Sequence, residues 1–235
     1  MLRCILFDVD QTLLSYHASE ALAVTRFFAA HGFTADKAAI ARASTLSWGY
    51  WDELRLSDTY LPSVRKSWNE NYKLAVSRFI DQLKIEYKFP SSATVEEYMD
   101  FFAHSAVPFP DTRPVLTALS NDFTLCAASN GLTACQTSRL SEYPYFKHLF
   151  ISESLGCLKP DPAFFQKALA VAGYPPEETL MVGDSLYSDI LGAKAAGLHT
   201  LWLNRGGAKN ETDVLPEGEI HSLTELLSHK MLYRG

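Results

Sequence analysis

The opening stretch Cys4-Ile5-Leu6-Phe7-Asp8-Val9-Asp10-Gln11-Thr12-Leu13-Leu14 limits the possible folds more than any other part of the chain. Cys4 to Phe7 form an unbroken apolar run, the pattern of a strand buried on both faces at the centre of a parallel sheet. The run passes directly into two carboxylates one residue apart. If Asp8 and Asp10 occupy the turn leaving the strand, they face the crevice at its carboxyl end, where open α/β sheets bind ligands. Like charges at about 5 Å and an effective dielectric of about 20 repel by roughly 3 kcal/mol. The pair therefore implies a cation, a shifted pKa or exposure to water. Taken alone, Asp-x-Asp is equally well a polar turn closing a strand, so the remainder of the chain has to decide.

The 235 residues suit one large domain, or a core domain carrying a smaller insert. A net charge of −6 argues against a nucleic-acid polymer or an anionic membrane as partner, while leaving room for a small phosphorylated metabolite. No apolar run approaches the roughly 20 residues that span a bilayer. The amino terminus reads as a strand rather than a signal peptide. Cys4, Cys126, Cys135 and Cys157 contain no Cys-x-x-Cys pair, and Cys4 and Cys126 fall in expected strands. The expectation is a reduced, cytoplasmic protein without structural zinc. The histidines at 17, 31, 104, 148, 199, 221 and 229 have no metal-ligand spacing.

Helical spacing of Ala21, Leu22, Val24, Phe27 and Phe28 predicts a helix over 17–31, stopped by Gly32. From there to about residue 105 the pattern is helical: Leu46 to Leu56, Val64 to Tyr87, and Thr94 to His104, where Thr94 and Glu97 fit a capping box. After the turn Val107-Pro108-Phe109-Pro110-Asp111 the pattern changes to alternating strands and helices. Strands are expected at 123–128, 148–152, 179–182 and 199–203, with a short one near Ile220. Helices are expected around 115–119, 133–140, from Asp161-Pro162, over 187–196 and over 223–227. The fold class is α/β: a Rossmann-like parallel-sheet core from 1–14 and 106–235, with an inserted α-helical cap domain over 15–105.

Polar clusters then follow successive strands: Asp8/Asp10/Thr12, Ser129/Asn130, Lys159, and Asp184/Ser185 with Asp189. Each has an ordinary explanation alone. Ser-Asn after a strand is commonly a turn, Gly-Asp-Ser is a helix N-cap, and Asp189 suits a helix's first turn. Their joint order is harder to obtain by chance, because parallel βαβ topology carries all of them to one edge of the sheet.

Asp8-x-Asp10-x-Thr12, Ser129-Asn130, Lys159-Pro160 and Gly183-Asp184-Ser185-x-x-x-Asp189-x-x-Gly192-Ala193-x-x-Ala196-Gly197 resemble the ordered motifs of haloacid dehalogenase-like (HAD) hydrolases. The last motif is the most specific. Gln11 stands where the commonest form has glycine. The resemblance implies a phosphatase in which Asp8 is the nucleophile, forming an aspartyl phosphate, and Asp10 is the general acid and base. It further implies Mg²⁺ held by the Asp8 carboxylate, the Asp10 main-chain carbonyl and Asp184. Ser129, the Asn130 backbone amide and Lys159 would receive the phosphoryl oxygens, with Thr12 fixing the loop around them. Asp189 would act in the metal's outer shell or orient Lys159, supported by Ser185.

Asp10 favours phosphoryl chemistry over dehalogenation, since dehalogenases of this kind have no leaving oxygen to protonate. A phosphonatase would need a cap lysine, and Lys37, Lys66, Lys73, Lys84 and Lys88 leave that point open. The segments 129–133 and 151–160 look similar to the pyrimidine 5′-nucleotidase branch, which makes a nucleoside 5′-monophosphate one expected substrate. Phosphoglycolate and sugar phosphates are the alternatives. Trp48, Tyr50 and Trp51 either stack on a base or pack the cap's own helices, and packing is the favoured reading. A catalytically inactive binding module would be attractive if Asp8, Asp10, Lys159 or Asp184 were missing; all are present.

Overall fold

The computed structural model describes residues 1–56 and 68–233, with side chains described except at 51–56, 68 and 69. The expected start of the second insert helix at Val64 and the side chains of Lys66, Trp51 and Trp68 thus lie outside the described residues. No described helix is long and apolar enough to cross a membrane. The chain divides into two compact units: Met1–Ser15 with Pro108–Thr133 and Leu140–Gly235, and Tyr16–Val107 with Ala134–Arg139.

In the first unit, β1 (Cys4–Phe7), β2 (Thr124–Ser129), β3 (Phe146–Ile151), β4 (Thr179–Gly183), β5 (His199–Leu203) and β6 (Gly218–Ile220) form one sheet in the order β3-β2-β1-β4-β5-β6. Every pairing is parallel. This is the doubly wound order, in which the chain reverses direction between β1 and β4. β1 is central, with Phe7 beside Ala127 on one flank and Val182 on the other, and all its side chains are buried. An apolar residue at every β1 position follows, because a strand covered on both faces has no wet side.

Helix α8 (Pro162–Ala172) shows how local chemistry sets an element. Asp161 Oδ1 accepts from the Ala163 N–H, Pro162 opens the first turn, and Gly173 ends the helix at φ +78. Its buried face, Phe164, Phe165, Ala168 and Leu169, packs with Cys4, Leu6, Cys126, Phe150 and Met181. Fully burying each phenylalanine contributes about 1.5–3 kcal/mol. The other core helices are α5 (Thr112–Leu119), the first residue of α6 (Thr133–Arg139), α7 (Ser152–Leu155) and α9 (Gly192–Ala195).

In the helical unit, α1 (Tyr16–Ala30) packs on α2 (Lys37–Leu56) and α4 (Val95–Ala103), and α2 packs on α3 (Trp68–Tyr87). Phe27 sits edge-on to Phe89 at 5.5 Å and Tyr98 at 5.7 Å between ring centroids. Trp48 rests 5.2 Å from Tyr16 and 5.8 Å from His17, so its ring is engaged by α1. The capping box expected at α4 is half formed. Thr94 Oγ1 accepts from the Glu97 N–H at 3.1 Å, but Glu97 Oε2 reaches across to His31 Nε2 at 3.0 Å. A tertiary hydrogen bond to His31 stands in place of the local reciprocal bond. Two other expected helices differ in kind. The stretch after Ser185 starts as a wide turn, with Ser185 O accepting from Ile190 N–H at 3.2 Å as well as from Asp189 N–H at 3.0 Å. Leu223–Ser228 winds as a 3₁₀ helix behind a Ser222–Glu225 capping box.

Candidate active site

β1 ends at Phe7, and the Asp8 N–H donates to Val182 O at 2.9 Å, so Asp8 begins the crevice at the carboxyl ends of β1 and β4. The loop beyond turns at once: the Leu13 and Leu14 N–H groups both donate to Val9 O at 2.9 Å. Gln11 adopts φ 62, the left-handed conformation that glycine takes without strain. That explains why glycine is common at this point, and holding glutamine there costs about 1 kcal/mol. Thr12 is fully buried, and its Oγ1 has no hydrogen-bond partner among the described residues.

Lys159, from the loop between α7 and α8, is 2% exposed and extends into the crevice. Its Nζ donates to Asp8 Oδ1 at 2.6 Å, Asp189 Oδ1 at 2.6 Å and Ala128 O at 2.7 Å. Ser129, the last residue of β2, is buried beside that carbonyl. The Asn130 side chain grips the Lys159 backbone from both sides, Nδ2 donating to Lys159 O at 2.9 Å and Oδ1 accepting from Lys159 N–H at 2.8 Å. Asp189 is 1% exposed, and its Oδ2 accepts from the Ser185 N–H at 3.0 Å. A Cβ added at Gly183 would meet that same Oδ2 at 2.2 Å, so only glycine lets Asp189 lie against β4. The Ser185 side chain caps the following turn, accepting from the Ser188 N–H.

One carboxylate oxygen each of Asp8, Asp184 and Asp189 lie within 4.8 Å of one another. Burial pushes the Asp8 carboxyl up to about 7, opposed by Lys159 and reinforced by Asp189 and Asp10. Burial pushes Asp184 up to about 8, with Asp8 and Asp189 adding to the rise. Lys159 is held well above the ordinary lysine range: burial opposes this, but Asp189 and Asp8 outweigh it. Three carboxylates thus face one ammonium group, an excess of two negative charges when all are ionised. All three are hard oxygen donors, and a divalent cation such as Mg²⁺ fits both the charge and the donor set.

Sequence reasoning overlooked the residues that brace this cluster. Trp202 Nε1 donates to Asp184 O at 2.8 Å. Thr112 Oγ1 donates to Leu13 O at 2.6 Å, and Arg205 donates to Thr12 O at 2.9 Å. None belongs to a motif; the only available signal was that Trp202 and Arg205 stand at the carboxyl end of a parallel strand.

Residues 2–197 match the family model described as haloacid dehalogenase-like hydrolase. The chain belongs to that family of hydrolases. It is 33% identical over 228 residues to pyrimidine 5′-nucleotidase PynA of Streptococcus pneumoniae, covering 95% of this chain and 92% of the relative. It is 31% identical over 240 residues to glyceraldehyde 3-phosphate phosphatase of Methanopyrus kandleri, covering 97% and 96%. Among solved structures, the HAD-hydrolase YfnB from Bacillus subtilis bound to magnesium superposes with a TM-score of 0.79 at 29% identity, covering 99% of each chain.

Proposed function

We propose that this HAD hydrolase is a Mg²⁺-dependent phosphatase that cleaves a small phosphate monoester, a nucleoside 5′-monophosphate in first place, through an aspartyl-phosphate intermediate. The observation that carries the reading is the meeting of Asp8, Asp184, Asp189 and Lys159 at one rim of the sheet, with Lys159 Nζ 2.6 Å from two of the carboxylates. The nucleotide substrate is supported by the similarity to the S. pneumoniae nucleotidase. The archaeal phosphatase makes a phosphorylated three-carbon sugar the second candidate.

Asp8 supplies the nucleophile. Lys159 holds its Oδ1, so attack on phosphorus comes from the second carboxylate oxygen. The phosphorus–oxygen bond to the leaving alcohol breaks as the Asp8–phosphorus bond forms, and Asp10 gives its proton to the departing oxygen. Asp10 then takes a proton from water as that water attacks the aspartyl phosphate, which frees Asp8 and phosphate. Lys159, the Ser129 hydroxyl and the Asn130 backbone amide receive the phosphoryl oxygens. Asp189 orients Lys159, and the Asn130 side chain fixes the backbone from which Lys159 projects. Asp8, the Asp10 carbonyl and Asp184 would hold the cation, which when bound neutralises charge on the phosphoryl group and favours ionised Asp8.

The test is phosphate release from p-nitrophenyl phosphate, nucleoside monophosphates, glyceraldehyde 3-phosphate and phosphoglycolate, with Mg²⁺ and with excess EDTA. Turnover that EDTA abolishes and Mg²⁺ restores is expected, with pyrimidine monophosphates among the best substrates. Folded protein inert toward every ester would defeat the phosphatase reading. Inert nucleotides beside rapid turnover of a short-chain phosphate would defeat only the nucleotide substrate.

A further inference from the structure

The loop that carries Asp8 and Asp10 is fixed largely through its carbonyl groups. Leu13 O accepts from the Phe109 N–H at 3.1 Å and from Thr112 Oγ1 at 2.6 Å, both on the segment that returns to the core. Thr12 O is held differently, by Arg205 Nη2 at 2.9 Å from just beyond β5. The same guanidinium makes a two-pronged bond to Asp111, Nη1 to Oδ2 and Nη2 to Oδ1, each at 2.9 Å. It lies 4.0 Å over the Phe109 ring. Asp111 Oδ2 also accepts from the Leu223 N–H at 2.9 Å. One planar cation therefore ties four segments together: the loop after β1, the turn before α5, the end of β5 and the start of the last helical turn.

We infer that Arg205, oriented by Asp111, is a positioning residue for the proposed phosphoryl transfer: it sets the catalytic loop, and through it Asp10, without touching the reacting atoms. This rests on the phosphatase reading above. The side chains of Arg205 and Asp111 are only 21% and 12% exposed, so their geometry is not loosened by water. Nη2 serves Thr12 O and Asp111 Oδ1 together while Nη1 keeps the second prong, a task suited to a rigid fork of donors. Lysine, with one nitrogen on a flexible stem, cannot hold that arrangement. Asp10 lies two residues before the anchored carbonyl, in a turn closed by the Gln11 N–H to Leu14 O bond of 2.7 Å. Displacing Thr12 displaces Asp10 with it.

The experiment compares wild-type protein with Arg205→Lys and Asp111→Asn. It measures steady-state kinetics on p-nitrophenyl phosphate and uridine 5′-monophosphate, and hydrogen exchange of a peptide spanning residues 9–14. A 1 Å misplacement of reacting groups costs up to about 100-fold, so Arg205→Lys is expected to lower kcat about tenfold while KM changes less than twofold. The loss should be larger for the alkyl ester than for p-nitrophenyl phosphate, whose phenolate departs without a proton from Asp10. The Leu13 and Leu14 amides should exchange faster than in wild type while amides in β1 do not. Arg205→Met removes every donor and lowers the folded fraction; Arg205→Lys keeps the positive charge beside Asp111 and isolates the missing fork.

Equal losses on both esters that track the folded fraction, or wild-type kcat together with wild-type loop exchange, would overturn the inference. A wild-type protein that turns over neither ester would defeat the phosphatase reading instead. The exchange measurement would still decide whether Arg205 holds the loop.

Discussion

The sheet unit and the helical unit each bury a carboxyl group almost completely and treat it in opposite ways. Asp189, 1% exposed, receives the Lys159 ammonium on one oxygen and the Ser185 N–H on the other. Glu20, 2% exposed in α1, accepts from the Ser44 hydroxyl on Oε2 at 2.7 Å, and its buried Oε1 has no hydrogen-bond partner among the described residues. Burial pushes the Glu20 carboxyl up, against weaker pulls from Ser44, Ser47 and His17. Around it the helical unit is held by edge-on aromatic rings. The contrast separates two uses of a buried acid. Where a cation and a backbone donor converge, as at Asp189, both carboxylate oxygens have partners. Where they do not, the neutral acid is favoured.

The largest effect expected from breaking this contrast is on turnover. Asp8→Asn removes the proposed nucleophile yet leaves Lys159 paired with Asp189, so kcat should fall by more than about 10³-fold with the fold intact. Phosphate release, read beside a circular-dichroism melt, checks it. Lys159→Met gives the sheet unit the defect seen at Glu20, since Asp8 and Asp189 lose their shared cation. Breaking a buried ion pair from one side costs about 3–5 kcal/mol, to be seen as a lower urea midpoint at pH 7.

The reverse change is made at Glu20→Gln. A carboxyl whose folded pKa lies above its unfolded value contributes stability that is present at low pH and lost as pH rises through the folded pKa. The substitution is therefore expected to stabilise by about 1 kcal/mol near pH 8 and to bring no gain near pH 4. Urea unfolding at both pH values measures this, and a constant difference would remove Glu20 from the comparison. The smallest effect is at Gln11→Gly, where relief of the left-handed strain is offset by a more flexible unfolded chain. Stability should shift by less than about 1 kcal/mol, with kcat within about twofold of wild type.

Much of the sheet unit was legible because its signals are local. The apolar run Cys4–Phe7 reads as a strand covered on both faces, and β1 is central, between β2 and β4. Asp161-Pro162 marked the start of α8, and Gly183-Asp184-Ser185 marked the end of β4. The roles expected of Ser129 and Asn130 came from the resemblance of the ordered motifs to those of HAD hydrolases. The grip of the Asn130 side chain on the Lys159 backbone did not, since it joins residues 29 apart through a loop without periodicity. The Thr94 cap of α4 formed as expected, but its reciprocal half did not: a pattern spanning three residues cannot register that His31 competes for Glu97.

What the sequence determined by itself was the class of fold, the order of the strands along the chain and the acidic and basic groups at their ends, because alternation, apolar runs and helix caps involve residues within a turn or two of one another. Tertiary structure alone decided which of those groups meet. Lys159 finds Asp8 across 151 residues, Arg205 finds Thr12 across 193, and Glu20 is enclosed beside the Ser44 hydroxyl. Charge compensation depends on distance in space and on exclusion of water, and neither is written in the spacing of residues along a chain.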